Sequence, residues 1–134
     1  MRIVLDTNVI IAAFAARGLC SEVFEVILAE HRILLSKQIL TEVQKNLKNK
    51  LHLPPSVINE IINYLLSVSE IIGTVAVEKS ACRDKNDTHV LGTALSGKAD
   101  IIVTGDDDLL VIKRFKNIDI LSPREFWERL IKQL

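Results

Sequence analysis

The stretch Arg2-Ile3-Val4-Leu5 runs without interruption into Asp6-Thr7-Asn8. The same event recurs near the other end, where Ile101-Ile102-Val103-Thr104-Gly105 meets Asp106-Asp107-Asp108. Short runs that are apolar at every position and rich in β-branched residues read as strands buried on both faces, the pattern of a parallel sheet. An acid directly after such a run sits at the carboxyl edge of the sheet, where open α/β folds bind their ligands. Carboxylates converging there repel one another by roughly 1 kcal/mol per pair at ~4 Å in water, and more in a shielded cleft. A hard dication reverses that sign, so a divalent-metal site is the leading expectation.

Working outward, strands and helices alternate. Val9 to Ala16 reads as a helix broken near Gly18, and Ser21 as the cap of a second helical piece. Arg32 to Leu35 is a second strand, and Ser36 caps a helix whose apolar face is Ile39, Leu40, Val43 and Leu47. Pro54-Pro55-Ser56 opens a helix running toward Ser69. Ile71 to Val77 suggests a third strand or an extended edge, and Asp84 to Asp87 lead into a helix closed by Gly97. Ile101 to Thr104 and Ile118 to Leu121 are the fourth and fifth strands, and Ser122-Pro123-Arg124-Glu125 is a capping box for the last helix. The expected fold is a three-layer α/β/α domain over residues 1–134, with a central parallel sheet of about four to five strands.

Bulk composition narrows the function classes. The 134 residues suffice for one domain with a real core, and 49% hydrophobic with 25% charged residues is ordinary for a globular chain. Formal net charge is zero, so nothing pulls the whole molecule toward nucleic acid, and such binding needs a local basic patch. The two cysteines, Cys20 and Cys82, lack metal-knuckle spacing and read as small buried residues in a reducing compartment. With no signal-peptide pattern and no apolar run near the ~20 residues that span a bilayer, a cytoplasmic protein without a membrane partner is expected. Mean hydropathy of +0.26 fits either a dense α/β core or a face covered by a partner.

Each acid taken alone has an ordinary explanation. Asp6 is equally an N-cap for the helix that follows it. Asp87 shares a side with Val90, Leu91 and Ala94, yet Asp84 and Asp87 could also form a capping turn. Glu42 lies at the border of its helix's apolar face, where solvated glutamates are common. Of Asp106, Asp107 and Asp108, at most two can aim into one site, because chain neighbours diverge. Taken together the acids are harder to dismiss. Oxygen ligands without nearby His or Cys point to Mg²⁺ or Mn²⁺ rather than zinc. The scattered histidines His31, His52 and His89 read as surface or packing residues, with His89 on a different side of its helix from Asp87.

These residues resemble a PIN domain. The resemblance is carried by Ile3-Val4-Leu5-Asp6-Thr7-Asn8-Val9, Glu42 after strand two, Arg83-Asp84-Lys85-Asn86-Asp87 leading into Val90-Leu91-Gly92-Thr93-Ala94, and Val103-Thr104-Gly105-Asp106-Asp107-Asp108-Leu109-Leu110. It is similar in particular to the toxin components of prokaryotic toxin–antitoxin pairs. The resemblance implies a Mg²⁺- or Mn²⁺-dependent endoribonuclease that cleaves single-stranded RNA through a metal-activated water. Asp6, Glu42, Asp87 and Asp106 would be the catalytic and metal-binding acids, joined at the metal by Asp108. Asn8, Asp84 and Thr104 would support them. An antitoxin protein and a second copy of the chain are implied as partners, with the Ser56–Ser69 helix and the helix after Asp6 as candidate faces; core packing is the plainer reading of those faces. Candidate RNA-backbone contacts are Lys45, Lys48 and Lys50, and Lys113, Arg114 and Lys116, each cluster equally readable as a solvated face. Aromatic residues make up only 4% of the chain, which makes base stacking a minor route to affinity. Competing readings are a catalytically idle RNA- or protein-binding module and a single-strand or flap DNA nuclease. Haloacid-dehalogenase phosphatases need an aspartate where Asn8 stands. Phosphoacceptor receiver domains need adjacent acids after the first strand and a lysine after a later one, and neither is evident.

Overall fold

The computed structural model describes residues 1–133; Leu134, the last residue of the expected domain, lies outside them. The three apolar runs become β1 (Arg2–Leu5), β2 (Arg32–Leu35) and β4 (Ile101–Val103). Ile3, Val4, Leu5, Ile33, Leu34, Leu35, Ile101, Ile102 and Val103 are all buried, as strands covered on both faces must be. They form the middle of a sheet ordered β3-β2-β1-β4-β6-β5, with β3 at Ser69–Ile71, β5 at Arg114–Phe115 and β6 at Ile118–Leu121. All neighbours are parallel except β5 with β6.

Seven α-helices among the described residues complete the fold: α1 (Thr7–Ala15), α2 (Leu19–Glu30), α3 (Lys37–Asn49), α4 (Pro55–Val68), α5 (Thr88–Ser96), α6 (Asp107–Leu110) and α7 (Pro123–Lys132). The chain steps from β1 to β2 to β3 in one direction, then returns past β1 to β4. Right-handed crossovers therefore place α5 on the sheet face opposite the helices of the first two connections. The reversal falls between β1 and β4, which pair with Leu5 beside Val103. The residues that follow these two strands emerge side by side at that switch point, as Asp6 N–H donating to the Val103 carbonyl at 3.0 Å illustrates.

Several local expectations hold. Ser36 Oγ accepts from Ile39 N–H at 3.1 Å and starts α3. The capping box of α7 is reciprocal: Glu125 N–H donates to Ser122 Oγ, and Ser122 N–H donates to Glu125 Oε1.

Others are corrected. The sheet has six strands, because residues 116–117 form a tight turn that folds β5 back on β6. Lys116 and Asn117 have φ of 46° and 69°, the left-handed pair of a two-residue hairpin. Helix α2 begins at Leu19 with Gly18 as N-cap, so Ser21 caps it from the first turn, its Oγ accepting from Gly18 N–H at 2.9 Å. Only Ser69–Ile71 pairs as the third strand; residues 72–78 run as an irregular strap. Gly92 lets that strap cross α5, since a Cβ there would lie 2.2 Å from the Val75 carbonyl oxygen. Gly97 ends α5 with φ of −82°, not left-handed; a Cβ there would press on Leu34 and Ile72 at 3.0 and 3.3 Å.

Candidate metal centre

Asp6 is the most tightly held acid. It is 6% exposed and closes the edge above β1. Oδ1 accepts from Thr7 N–H at 2.8 Å, and Oδ2 accepts from Thr104 Oγ1 at 2.7 Å and Asn8 Nδ2 at 3.3 Å. Asp6 therefore does cap α1, but with one oxygen only. Burial raises its carboxyl above the ordinary range, opposed by the hydrogen bonds from Thr104 and Thr7, while Asp106 adds to the rise.

Thr104 is fully buried and works in both directions. It donates to Asp6 and accepts the Asp106 N–H at 3.0 Å, so one hydroxyl ties the two strand-end acids together. Asn8 does the same one step out, its Oδ1 accepting from Gly105 N–H at 3.0 Å. Asp106 caps α6, its Oδ1 accepting from Asp108 N–H at 2.9 Å.

Asp87 arrives from the other side of the cleft. Its backbone sits at the N-cap of α5 but its side chain makes no capping bond. Asp84 does the capping instead, accepting from Asn86 N–H at 2.9 Å to close the 3₁₀ turn Lys85–Asp87. Asp87 is thereby left free, and Oδ2 is buried without a hydrogen-bond partner. Burial and the adjacent Asp106 carboxyl, then Asp84 and Asp6, push the Asp87 carboxyl up to about 8. A buried, unpartnered carboxylate oxygen facing other acids is the environment a dication relieves.

Glu42 reaches the cleft from α3. Burial raises its carboxyl, His89 opposes the rise and Asp6 adds to it. Its row on α3 continues at helical spacing through Asn46 and Lys50. Together Asp6, Thr7, Asn8, Ile11, Ala12, Glu42, Asn46, Lys50, Asp87 and Asp106 line a cleft of about 330 Å³.

Other expected participants sit elsewhere. Asp108 does not line this cleft; its Oδ1 lies 3.0 Å from Arg83 Nε. It gathers instead with Asp84 and Asp87, with one oxygen of each within 4.8 Å of the others, making Asp87 common to two acid groups. Asp107 is exposed. Lys45 and Lys48 are exposed on α3, off the row that faces the cleft. Lys113 and Arg114 stand at the β5 edge. Arg114 pairs in register with Asp119, which lies beside Ile101 at the amino end of β4, and its guanidinium is 3.7 Å from Asp119. That end of the sheet is opposite the acids. Lys50 is thus the one cation lining the cleft among the described residues.

His89, read as a surface or packing residue, is packed and also meets Glu42. Its Nε2 lies 2.5 Å from Glu42 Oε1, and its side chain is 9% exposed. The 3₁₀ turn Lys85–Asp87 precedes α5, so Asp87 and His89 do not lie on one continuous helix from Asp84. Asn46 could have been found from Glu42 by counting four residues on; Lys50, already a candidate backbone contact, lies four residues further. His89 carries no such signal.

A mostly parallel sheet with an acidic cleft at its switch point places the chain among open α/β folds whose site lies at the carboxyl edge of the sheet. Within that class, a family model for the PIN domain matches residues 2–108, and the chain belongs to the PIN domain family. Among solved structures, the chain is similar to one in the crystal structure of VapBC2 from Rickettsia felis bound to a DNA fragment from their promoter. The TM-score is 0.66 at 20% identity, over 91% of this chain and 98% of that one, a likeness of fold. No curated protein sequence matches. Among the described residues no helix is long and apolar enough to cross a membrane.

Proposed function

We propose that the protein is a Mg²⁺- or Mn²⁺-dependent endoribonuclease acting on single-stranded RNA, the toxin of a toxin–antitoxin pair. The observation that carries the reading is the convergence of Asp6, Glu42, Asp87 and Asp106 on one cleft, with a buried Asp87 oxygen left unpartnered. Those four acids would hold the cation, and Asp84 and Asp108 extend the negative field on the Asp87 side. A bound Mg²⁺ or Mn²⁺ supplies charge to offset the acids, polarises a phosphodiester and makes water a better nucleophile.

The chain's own residues supply the rest. Thr104 and Asn8 fix the Asp6 carboxylate so that it does not reorganise when substrate arrives. Lys50 offers a positive charge to a phosphate further along the strand, while Asn46, Ile11 and Ala12 line the path between. With aromatic side chains scarce, affinity rests on phosphate contacts and depends on salt.

The toxin assignment rests on the motif resemblance and on the fold likeness to a VapBC2 chain crystallised with promoter DNA. An antitoxin partner and a second copy are proposed with it. On α4, Ile58 and Leu65 are buried while Tyr64 and Leu66 stay 40% and 46% exposed, leaving apolar surface on one of the expected faces. A monomer by light scattering would count against the second copy.

The test is incubation of purified protein with a single-stranded RNA in Mn²⁺ or EDTA, beside a DNA of matched sequence. Metal-dependent cuts in RNA that vanish in Asp6→Asn support the reading. Cleavage of DNA alone transfers it to a DNA nuclease. Cleavage undiminished in Asp6→Asn, or no cleavage with RNA still bound, removes it.

A further inference from the structure

The acids of the cleft are not held alike. Asp6 is fixed by three donors, and Asp106 accepts from Asp108 N–H. Glu42 has a longer side chain with more rotamers to lose. The Asn46 side chain reaches its backbone carbonyl and not its carboxylate. Oε1 is buried without a geometrically formed hydrogen bond, and the His89 Nε2 lies 2.5 Å from it as an ion-pair contact.

His89 is built for that contact. It is the second residue of α5, whose following residues Val90 to Ala94 are buried, and it presents a nearly enclosed ring. Its backbone is fixed too, the carbonyl accepting from Thr93 Oγ1 at 2.8 Å. Nδ1 is buried and has no partner, so packing within α5 does not account for both ring nitrogens. The pair also joins the α3 wall of the cleft to the α5 wall that carries Asp87.

The geometry points to His89 as a positioning residue: its Nε2, held against Glu42 Oε1, fixes the carboxylate and leaves Oε2 as the oxygen offered to the cation. The inference rests on the metal-binding reading above and deepens it. His89 does not line the cleft, so it acts through Glu42 rather than as a ligand. An imidazole that is neutral and protonated on Nε2 serves as well as a charged one. Partners that orient metal ligands in this way typically govern affinity by about 10–100-fold.

The experiment is calorimetric titration of the full chain with Mn²⁺ alone, for wild type, His89→Ala, His89→Gln, Glu42→Gln and the Ala/Gln double variant. His89→Ala is expected to weaken Mn²⁺ binding about 10–100-fold. His89→Gln, which keeps an N–H donor, should recover much of that loss. In the Glu42→Gln background the alanine substitution should cost less than about twofold, because the carboxylate it orients is gone. A merely structural role would lower Tm and leave affinity unmoved. Should His89→Ala fail to fold, His89→Phe keeps a buried ring without the donor and replaces it in the comparison. If wild type binds Mn²⁺ and the His89 variants bind it equally well, or lose equally in both backgrounds, the positioning role is overturned and the metal site stands. If wild type binds no Mn²⁺, both readings fall.

Discussion

Replacing Asp87 with asparagine should make the metal-free protein more stable and the metal-loaded protein less so. Burial and the neighbouring acids push the Asp87 carboxyl from 3.8 to about 8 in the folded chain. The folded state therefore holds a proton that the unfolded state has released. This group's contribution is fully favourable below pH ~4 and is lost progressively as pH rises toward 8. Each unit corresponds to 1.36 kcal/mol, so by pH 7 a fully shielded group would cost about 4 kcal/mol. Asp87 is only partly shielded, and solvent screening reduces the figure to ~1–2 kcal/mol. For a chain of this size that is roughly 3–8 °C in Tm. Thermal melts in EDTA should thus place Asp87→Asn above wild type at pH 8 and close to it at pH 5. Mn²⁺ at 100 times its Kd adds about 2.7 kcal/mol to any protein that binds it only when folded. Wild type should gain that increment and the variant little of it, so the order of the two proteins reverses on adding metal. An Asp87→Asn protein that melts below wild type in EDTA at pH 8, or that gains as much from Mn²⁺, refutes the reasoning.

Three further outcomes are expected. Thr104→Val removes a buried hydroxyl that donates to Asp6 and accepts from Asp106 N–H, leaving that N–H unpartnered; a loss of ~2–4 kcal/mol should appear in denaturant melts, and a change under 1 kcal/mol would contradict the linkage. Gly92→Ala sets a Cβ 2.2 Å from the Val75 oxygen and should displace the 72–78 strap, seen as faster proteolysis within that segment and a stability loss of ~1–3 kcal/mol; unchanged cleavage kinetics would argue against the crossing. Lys50→Ala should reduce the slope of log affinity for single-stranded RNA against log salt by about 0.7, whereas Lys113→Ala should leave it unaltered, and equal slopes in all three proteins would remove Lys50 from the binding path.

Some of the site was legible because it is written locally. Asp6, Thr104 and Asp106 follow runs buried on both faces, and a parallel sheet leaves such residues one edge at which to emerge. Adjacent pairing of β1 and β4 then brings them together, although no single strand encodes which strand it will neighbour. Asp87 was ambiguous for a definite reason. Two aspartates three apart satisfy a capping turn and a ligand role equally well, and only the coordinates assign the cap to Asp84. Asp108 turns toward Arg83 and groups with Asp84 and Asp87 because consecutive acids diverge, and that direction cannot be chosen without knowing where Arg83 lies. The sixth strand was hidden in Lys116-Asn117, a turn that forces a lysine into a left-handed conformation its side chain does not favour.

The contact between His89 and Glu42 belongs to a different order of information. Neither helix advertises it: Glu42 borders an apolar stripe, and His89 stands beside a helix start that looked like a continuation of Asp84. It exists because right-handed crossovers carry α3 and α5 along opposite faces of the sheet to meet over the same edge. At that meeting point a nearly enclosed imidazole meets a half-exposed glutamate whose contacting oxygen is buried. Removing either partner strands the other, so the two substitutions must be coupled if the edge is a working site. In a merely well-packed rim that coupling would appear in stability alone, whereas a working site also shows it in Mn²⁺ affinity.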